Sequence, residues 1–177
     1  MVSFSLFRRT LPVALLAVTL GGCATHTGRA TAEGAAASNA VTTPDSVAQT
    51  SWILTRWSAG DSGTVRHPAT SSTGLPLHLD FLVRGNDYRV AGFSGCNRFM
   101  GTYKMEQGRL IITAPAATRM ACASAEDGAL ERDFLKALAS ISRFTLDSGG
   151  APRKMTLALS GGDTLEFTRG EDPPSKP

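Results

Sequence analysis

The 177-residue chain carries 18 Lys and Arg against 15 Asp and Glu, is 42% apolar and has three cysteines, a balance that suits one modest globular domain with polar tails. Its formal charge of +3 includes Arg8 and Arg9; without them 16 basic side chains face 15 acidic ones, a net +1. No Lys/Arg run with interleaved aromatics occurs, which excludes a nucleic-acid partner, because a face that neutralises several phosphates needs one.

Residues 1–22 read as a leader. Arg8 and Arg9 form a short positive start, and Leu11 to Leu20 is an apolar stretch of about ten residues, the length of a signal h-region and well short of the roughly 20 that span a bilayer. Leu20-Gly21-Gly22-Cys23 then resembles the lipobox of bacterial lipoproteins, in which the cysteine is acylated and becomes the first residue. Small residues alone would suit an ordinary signal peptidase equally well; a cysteine at that place separates the two. Residues 23–50 are therefore expected to be a lipid anchor followed by a flexible tether of Ala, Thr, Ser and Gly, too poor in large apolar side chains to offset its ordering entropy. About 26 such residues span about 25 to 30 Å. Ala24 and Thr25, with no Asp after Cys23, point to the periplasmic face of an outer membrane.

From Ser51 to Arg169 short apolar segments alternate with Gly, Asp, Asn and Ser. Ser51 to Trp57 reads as an opening strand. Ala59 to Pro76, rich in Ser, Thr and Gly, reads as a mobile loop. Leu77, Leu79 and Phe81 alternate with His78 and Asp80, the period of a strand with one buried face, and Gly85-Asn86-Asp87 turns it into a hairpin with Tyr88 to Phe93. Further strands are expected at Phe99 to Met105, Arg109 to Thr113, Arg143 to Asp147, Lys154 to Leu159 and Thr164 to Thr168. One helix starts near Ser124, an N-cap followed by acid in the first turn. Leu130, Phe134, Leu135, Leu138 and Ile141 form its apolar stripe, and Glu131, Arg132 and Lys136 occupy its outer positions. These patterns predict an α+β domain over 51–169: a small curved antiparallel β-sheet or half-open barrel of about eight strands, with one amphipathic helix packed on it. Residues 170–177 are expected to be a disordered tail.

With Cys23 lipidated, Cys96 and Cys122 remain as an even pair in a compartment that tolerates disulfides. A bridge is expected, worth about 3.5 kcal/mol on the loop-entropy estimate. A reactive or metal-binding thiol pair is the alternative, and neither cysteine has a neighbouring histidine.

The segments Gly92-Phe93-Ser94-Gly95-Cys96-Asn97-Arg98-Phe99, Gly101-Thr102-Tyr103 and Ala117-Thr118-Arg119-Met120-Ala121-Cys122 together resemble the signature of the META/HslJ-like domain family. Trp52 and Leu54 before them, and Glu131, Phe134, Leu135, Leu138, Leu165 and Phe167 after them, extend the similarity over the whole domain. The resemblance implies a small β-rich fold with one helix, often carried on a lipoprotein, and roles in heat-shock response, novobiocin resistance, motility or secretion without an agreed biochemical activity. Gly95, Asn97, Arg98, Gly101, Tyr103, Thr118 and Arg119 are its motif residues and the candidates for any interaction. Physically, the glycines permit sharp bends, Asn97 satisfies turn backbone, and Phe99 and Tyr103 supply packing area.

No catalytic residues are expected. Ser94 lies in G-x-S-G, short of the G-x-S-x-G elbow and outside a strand-turn-helix context, and His78 with Asp80 falls on a solvent-facing strand side. No metal and no cofactor are expected either. The sequence thus reads as a non-enzymatic envelope lipoprotein, attached to a membrane through Cys23 and available to an envelope protein partner. It is expected to be a binding or structural module tied to outer-membrane integrity, stress or antibiotic tolerance. The alternative is a chaperone of the secretion-pilot kind, holding an apolar peptide or lipid between sheet and helix; a hydrolase comes last.

Overall fold

In the computed structural model, which describes residues 43–147 and 151–173, the alternating segments become antiparallel strands. They are β1 (Thr50–Ala59), β2 (Thr64–His67), β3 (His78–Arg84), β4 (Asp87–Phe93), β5 (Arg98–Glu106), β6 (Arg109–Ala117), β7 (Ile141–Leu146), β8 (Lys154–Leu159) and β9 (Thr164–Arg169), with the helix α1 (Ala125–Leu138) between β6 and β7. Eight strands hydrogen-bond in the order β6-β5-β4-β3-β1-β9-β8-β7 and β2 hangs on β1. The outer strands β6 and β7 come into contact, so the sheet curls into a nearly closed barrel with one helix packed on it, the expected α+β arrangement.

The inward face is the one the alternation predicts. Leu79 and Phe81 of β3, Phe99 and Tyr103 of β5, Leu157 and Leu159 of β8, and Leu165 and Phe167 of β9 are all buried. Trp52 and Leu54 keep this period in β1, but Trp57 is buried out of phase. A register shift between Leu54 and Arg56 inserts the extra residue that turns Trp57 inward, the usual effect of a β-bulge. Phe134 of α1 fills the barrel mouth, with its ring centroid 6.2 Å from that of Trp57 and 6.2 Å from that of Phe99. Leu130 and Leu138 flank it, both buried.

Four expectations are corrected. The folded part starts before Ser51: Val47 is fully buried, Tyr103 donates to Pro44 O at 3.2 Å, Tyr88 donates to Asp45 Oδ1 at 2.9 Å, and Val83 N donates to Gln49 Oε1 at 2.8 Å. It also passes Arg169, because Gly170 N donates to Ser51 O at 2.8 Å and Asp172 takes two hydrogen bonds from the Arg169 guanidinium. The Ala59 to Pro76 loop is built rather than loose. It contains β2, a bridge between Thr70 and Pro76 and a His67 ring 4.3 Å from that of Trp57. Ile141 does not belong to the helix stripe; α1 stops at Leu138 and Ile141 opens β7, while Ala137 joins the buried face. Residues 1–42, including the leader, Cys23 and most of the tether, and residues 174–177 lie outside the described residues.

Candidate functional site

The signature residues meet at one end of the barrel. β4 ends at Phe93 and β5 begins at Arg98, so Ser94 to Asn97 must reverse the chain in four residues, closed by Ser94 N donating to Asn97 O at 3.0 Å. Gly95 is required here twice over. Its φ is +107°, and a Cβ there would lie 2.9 Å from Leu130 Cδ2. Gly92, three residues earlier in β4, has ordinary φ but lies so close to β3 that a Cβ would fall 2.0 Å from His78 O. Gly101 has a different task, at the register shift between Met100 and Thr102 opposite β6.

Asn97 is 4% exposed and spends all its polar capacity inside the loop system. Its Oδ1 accepts from Thr118 Oγ1 at 2.9 Å and from Met120 N at 2.9 Å. Its Nδ2 faces Met120 O at 3.3 Å, Glu131 Oε1 at 3.3 Å and Cys96 Sγ at 3.1 Å, three acceptors for two protons. Its backbone N–H donates to Glu131 Oε2 at 2.7 Å. One side chain thus ties the β4–β5 turn to the 118–120 segment and to α1. The covalent link runs in parallel, with the Cys96 and Cys122 sulfurs 2.06 Å apart and their Cα atoms 5.3 Å apart, inside the range a disulfide needs.

Glu131 is the residue that sequence reasoning misplaced. It is not on the outer helix face; its carboxylate receives the Asn97 amide and lies 3.0 Å from Ser94 Oγ. Asp127 repeats the device one turn earlier, accepting from Ser72 N at 2.8 Å and from Ser72 Oγ at 2.5 Å. Asp127, Leu130, Glu131 and Phe134 have the i, i+3, i+4, i+7 spacing of one helix face, so two acids inside an apolar stripe were the available signal. Hydrogen bonds from the Ser72 side chain and backbone, joined by one with Ser124, hold the Asp127 carboxyl below its ordinary value against the opposing effect of burial.

Ser94 is fully buried, with Oγ 2.8 Å from Asn97 O and 3.0 Å from Glu131 Oε2, so its single proton serves one of them at a time. Its neighbours are a carbonyl and a carboxylate already engaged by Asn97, rather than an imidazole. His78 and Asp80 stay on the outer strand face, where Asp80 accepts from Ser51 Oγ at 2.6 Å and lies 3.7 Å from His78 Nε2. Tyr103 belongs to the opposite end, packed edge-on against Phe81 and Tyr88 at 4.9 and 5.5 Å. Burial first, then Tyr88 and Asp45, raise its pKa. Arg98 and Arg119 are exposed, and no carboxylate lies within ion-pair distance of either among the described residues. Among those residues there is also no group of three or more His, Cys, Asp or Glu side chains placed to hold a metal ion, and no helix is long and apolar enough to cross a membrane.

The comparison with known families matches this arrangement to the META domain over residues 45–172. The chain belongs to the META domain family. The matched span takes in the buried Val47 and the Arg169–Asp172 pair, in agreement with the wider folded boundaries. A solved NMR structure of a protein from Burkholderia xenovorans is similar over 72% of this chain and 86% of its own, at 35% identity and a TM-score of 0.62. A second NMR structure covers 72% of this chain and 94% of its own at 25% identity, with a TM-score of 0.47. No curated protein matches the chain.

Proposed function

We propose that this META-domain protein is a non-enzymatic lipoprotein of the cell envelope, anchored through an acylated Cys23 and carrying its domain as a binding or structural module. The location that fits the residues after Cys23 is the periplasmic face of the outer membrane, and the role is support of envelope integrity under stress or antibiotic challenge. One observation carries the reading. The reactive-looking side chains of the signature, Ser94, Asn97, Thr118 and Glu131, are bonded to one another, and a group whose lone pairs and protons are consumed by its neighbours holds loops rather than attacking substrates.

The secretion-pilot reading needs space between sheet and helix. That interface is filled by Leu130, Phe134 and Leu138 against Trp57 and Phe99, all buried, so recognition falls to the outer surface of the barrel. Mass spectrometry of the protein isolated from cells should find an acylated Cys23 as its first residue, and Cys23→Ala should release it from the membrane fraction. A mature chain starting elsewhere, or one that stays in the membrane after Cys23→Ala, contradicts the anchor. Crosslinking in intact cells under envelope stress then identifies what the domain touches.

A further inference from the structure

Beside the signature lies a groove of about 380 Å³ on the outside of the barrel, a size within the roughly 300–1,000 Å³ of small-molecule sites. One wall is the 71–76 turn, with Leu75 and Pro76; the other is the 118–120 segment, with Met120; Phe93 and Arg98 lie between them. Both walls are fixed. Ser72 is held by Asp127, and Met120 is held through its backbone by Asn97 and, two residues on, by the disulfide.

The walls nevertheless leave apolar surface uncovered. Leu75 is 54% exposed and Met120 74% exposed. Two of the four large apolar side chains exposed among the described residues, Leu75 and Met120, therefore line this groove, and apolar surface grouped in this way marks a binding site more often than apolar residues scattered singly. Most polar groups of the groove are already spent: Asn97 Oδ1 accepts from Thr118 Oγ1 and from Met120 N, and His78 Nδ1 lies 3.2 Å from Pro76 O. Arg98 is the exception. Its guanidinium has neither a carboxylate nor a hydrogen-bond partner among the described residues, while its cross-strand neighbour is Phe93.

From this juxtaposition we propose that the groove binds a small anionic amphiphile, an alkyl or aryl group bearing one carboxylate or phosphate. The apolar part lies over Phe93 between Leu75 and Met120, and the head group accepts from the Arg98 guanidinium. An uncharged apolar ligand gains only the contact with the apolar walls and a free anion only the charge-assisted hydrogen bond from Arg98, whereas a molecule with both parts gains both. The inference deepens the binding-module reading and rests on it.

The test uses the full mature-length chain with Cys23→Ser, titrated with dodecanoate and with dodecanol below their aggregation concentrations and followed by calorimetry. Dodecanoate should bind saturably and more tightly than dodecanol. Arg98→Gln should weaken dodecanoate about tenfold, as loss of a charge-assisted hydrogen bond does, and leave dodecanol unchanged. Met120→Asn should weaken both ligands, and both variants should melt like the parent, since the two side chains are exposed. Absence of saturable dodecanoate binding, or binding indifferent to Arg98→Gln, overturns the site. Association with phosphatidylglycerol vesicles without binding of monomeric dodecanoate also overturns it, in favour of a membrane-docking face. The Cys23 acylation measurement fails or succeeds independently, so a wrong anchor and a wrong ligand site give different results.

Discussion

Asn97 shows what the signature does at the scale of a single residue. A side chain with two donors and an acceptor ties its own turn to two further chain segments at once, and neither a hydrophobe nor an acid of the same shape can replace it. Asn97→Asp tests this sharply, because it exchanges the amide protons facing Glu131 and Met120 O for a second carboxylate oxygen. The variant should lose at least about 2 kcal/mol of unfolding free energy at neutral pH. The loss should shrink as pH falls, because protonation of the new carboxylate removes its charge. Denaturant melts of the two proteins between neutral and mildly acidic pH check both points, and an Asn97→Asp protein as stable as the parent would mean the clamp contributes nothing.

At the scale of elements, the helix and the long loop explain each other. Asp127 caps the 71–74 turn from inside the helix stripe, and its carboxyl is held below the ordinary 3.8 by the Ser72 hydrogen bonds. A carboxyl depressed in the folded state contributes stability that is complete above its unfolded pKa and is lost as pH falls through the lower folded value. The Ser72 amide should therefore keep its protection down to about pH 4 and lose it below, and Asp127→Asn should abolish that pH dependence; amide exchange measured by NMR reads both. The sequence announced the strands through their alternation and the helix through Ser124 and the Leu130, Phe134, Leu138 spacing. It did not announce β2, because Thr64 to His67 carries no alternation strong enough to stand out and pairs only through the bulged end of β1. Glu131 was signalled only by its place in the apolar stripe, a weak cue. Charge on a helix is ordinarily solvated, and only the turn arriving from β4 with unpaired N–H groups makes a carboxylate at that position an inside residue. The four-residue turn itself was legible in Gly95 and Asn97, whereas the groove wall at Leu75 depended on a loop whose fold is fixed by a partner 55 residues away.

At the scale of the whole molecule, the bridge and the clamp fasten the β4–β5 turn to the segment that leads from β6 into α1 and to α1 itself. Cys96 lies in the β4–β5 turn and Cys122 just before α1, 26 residues apart in sequence. Cys96→Ser or Cys122→Ser should each cost about 2 to 5 kcal/mol, and the double variant no more than either one. A thiol titration of the unreduced protein should find no free thiol in this pair, and ready labelling of the folded protein would reopen the redox or metal reading. The account as a whole holds that the META signature is architecture, a set of polar groups joined to one another so that a recognition surface stands rigidly beside them. The measurement that tests this most directly is a double-mutant cycle between Asn97→Ala and Glu131→Ala, read by equilibrium denaturation. The account predicts a coupling of about 0.5 to 3 kcal/mol, with the second substitution costing far less once the first is present, and two penalties that simply add would contradict it.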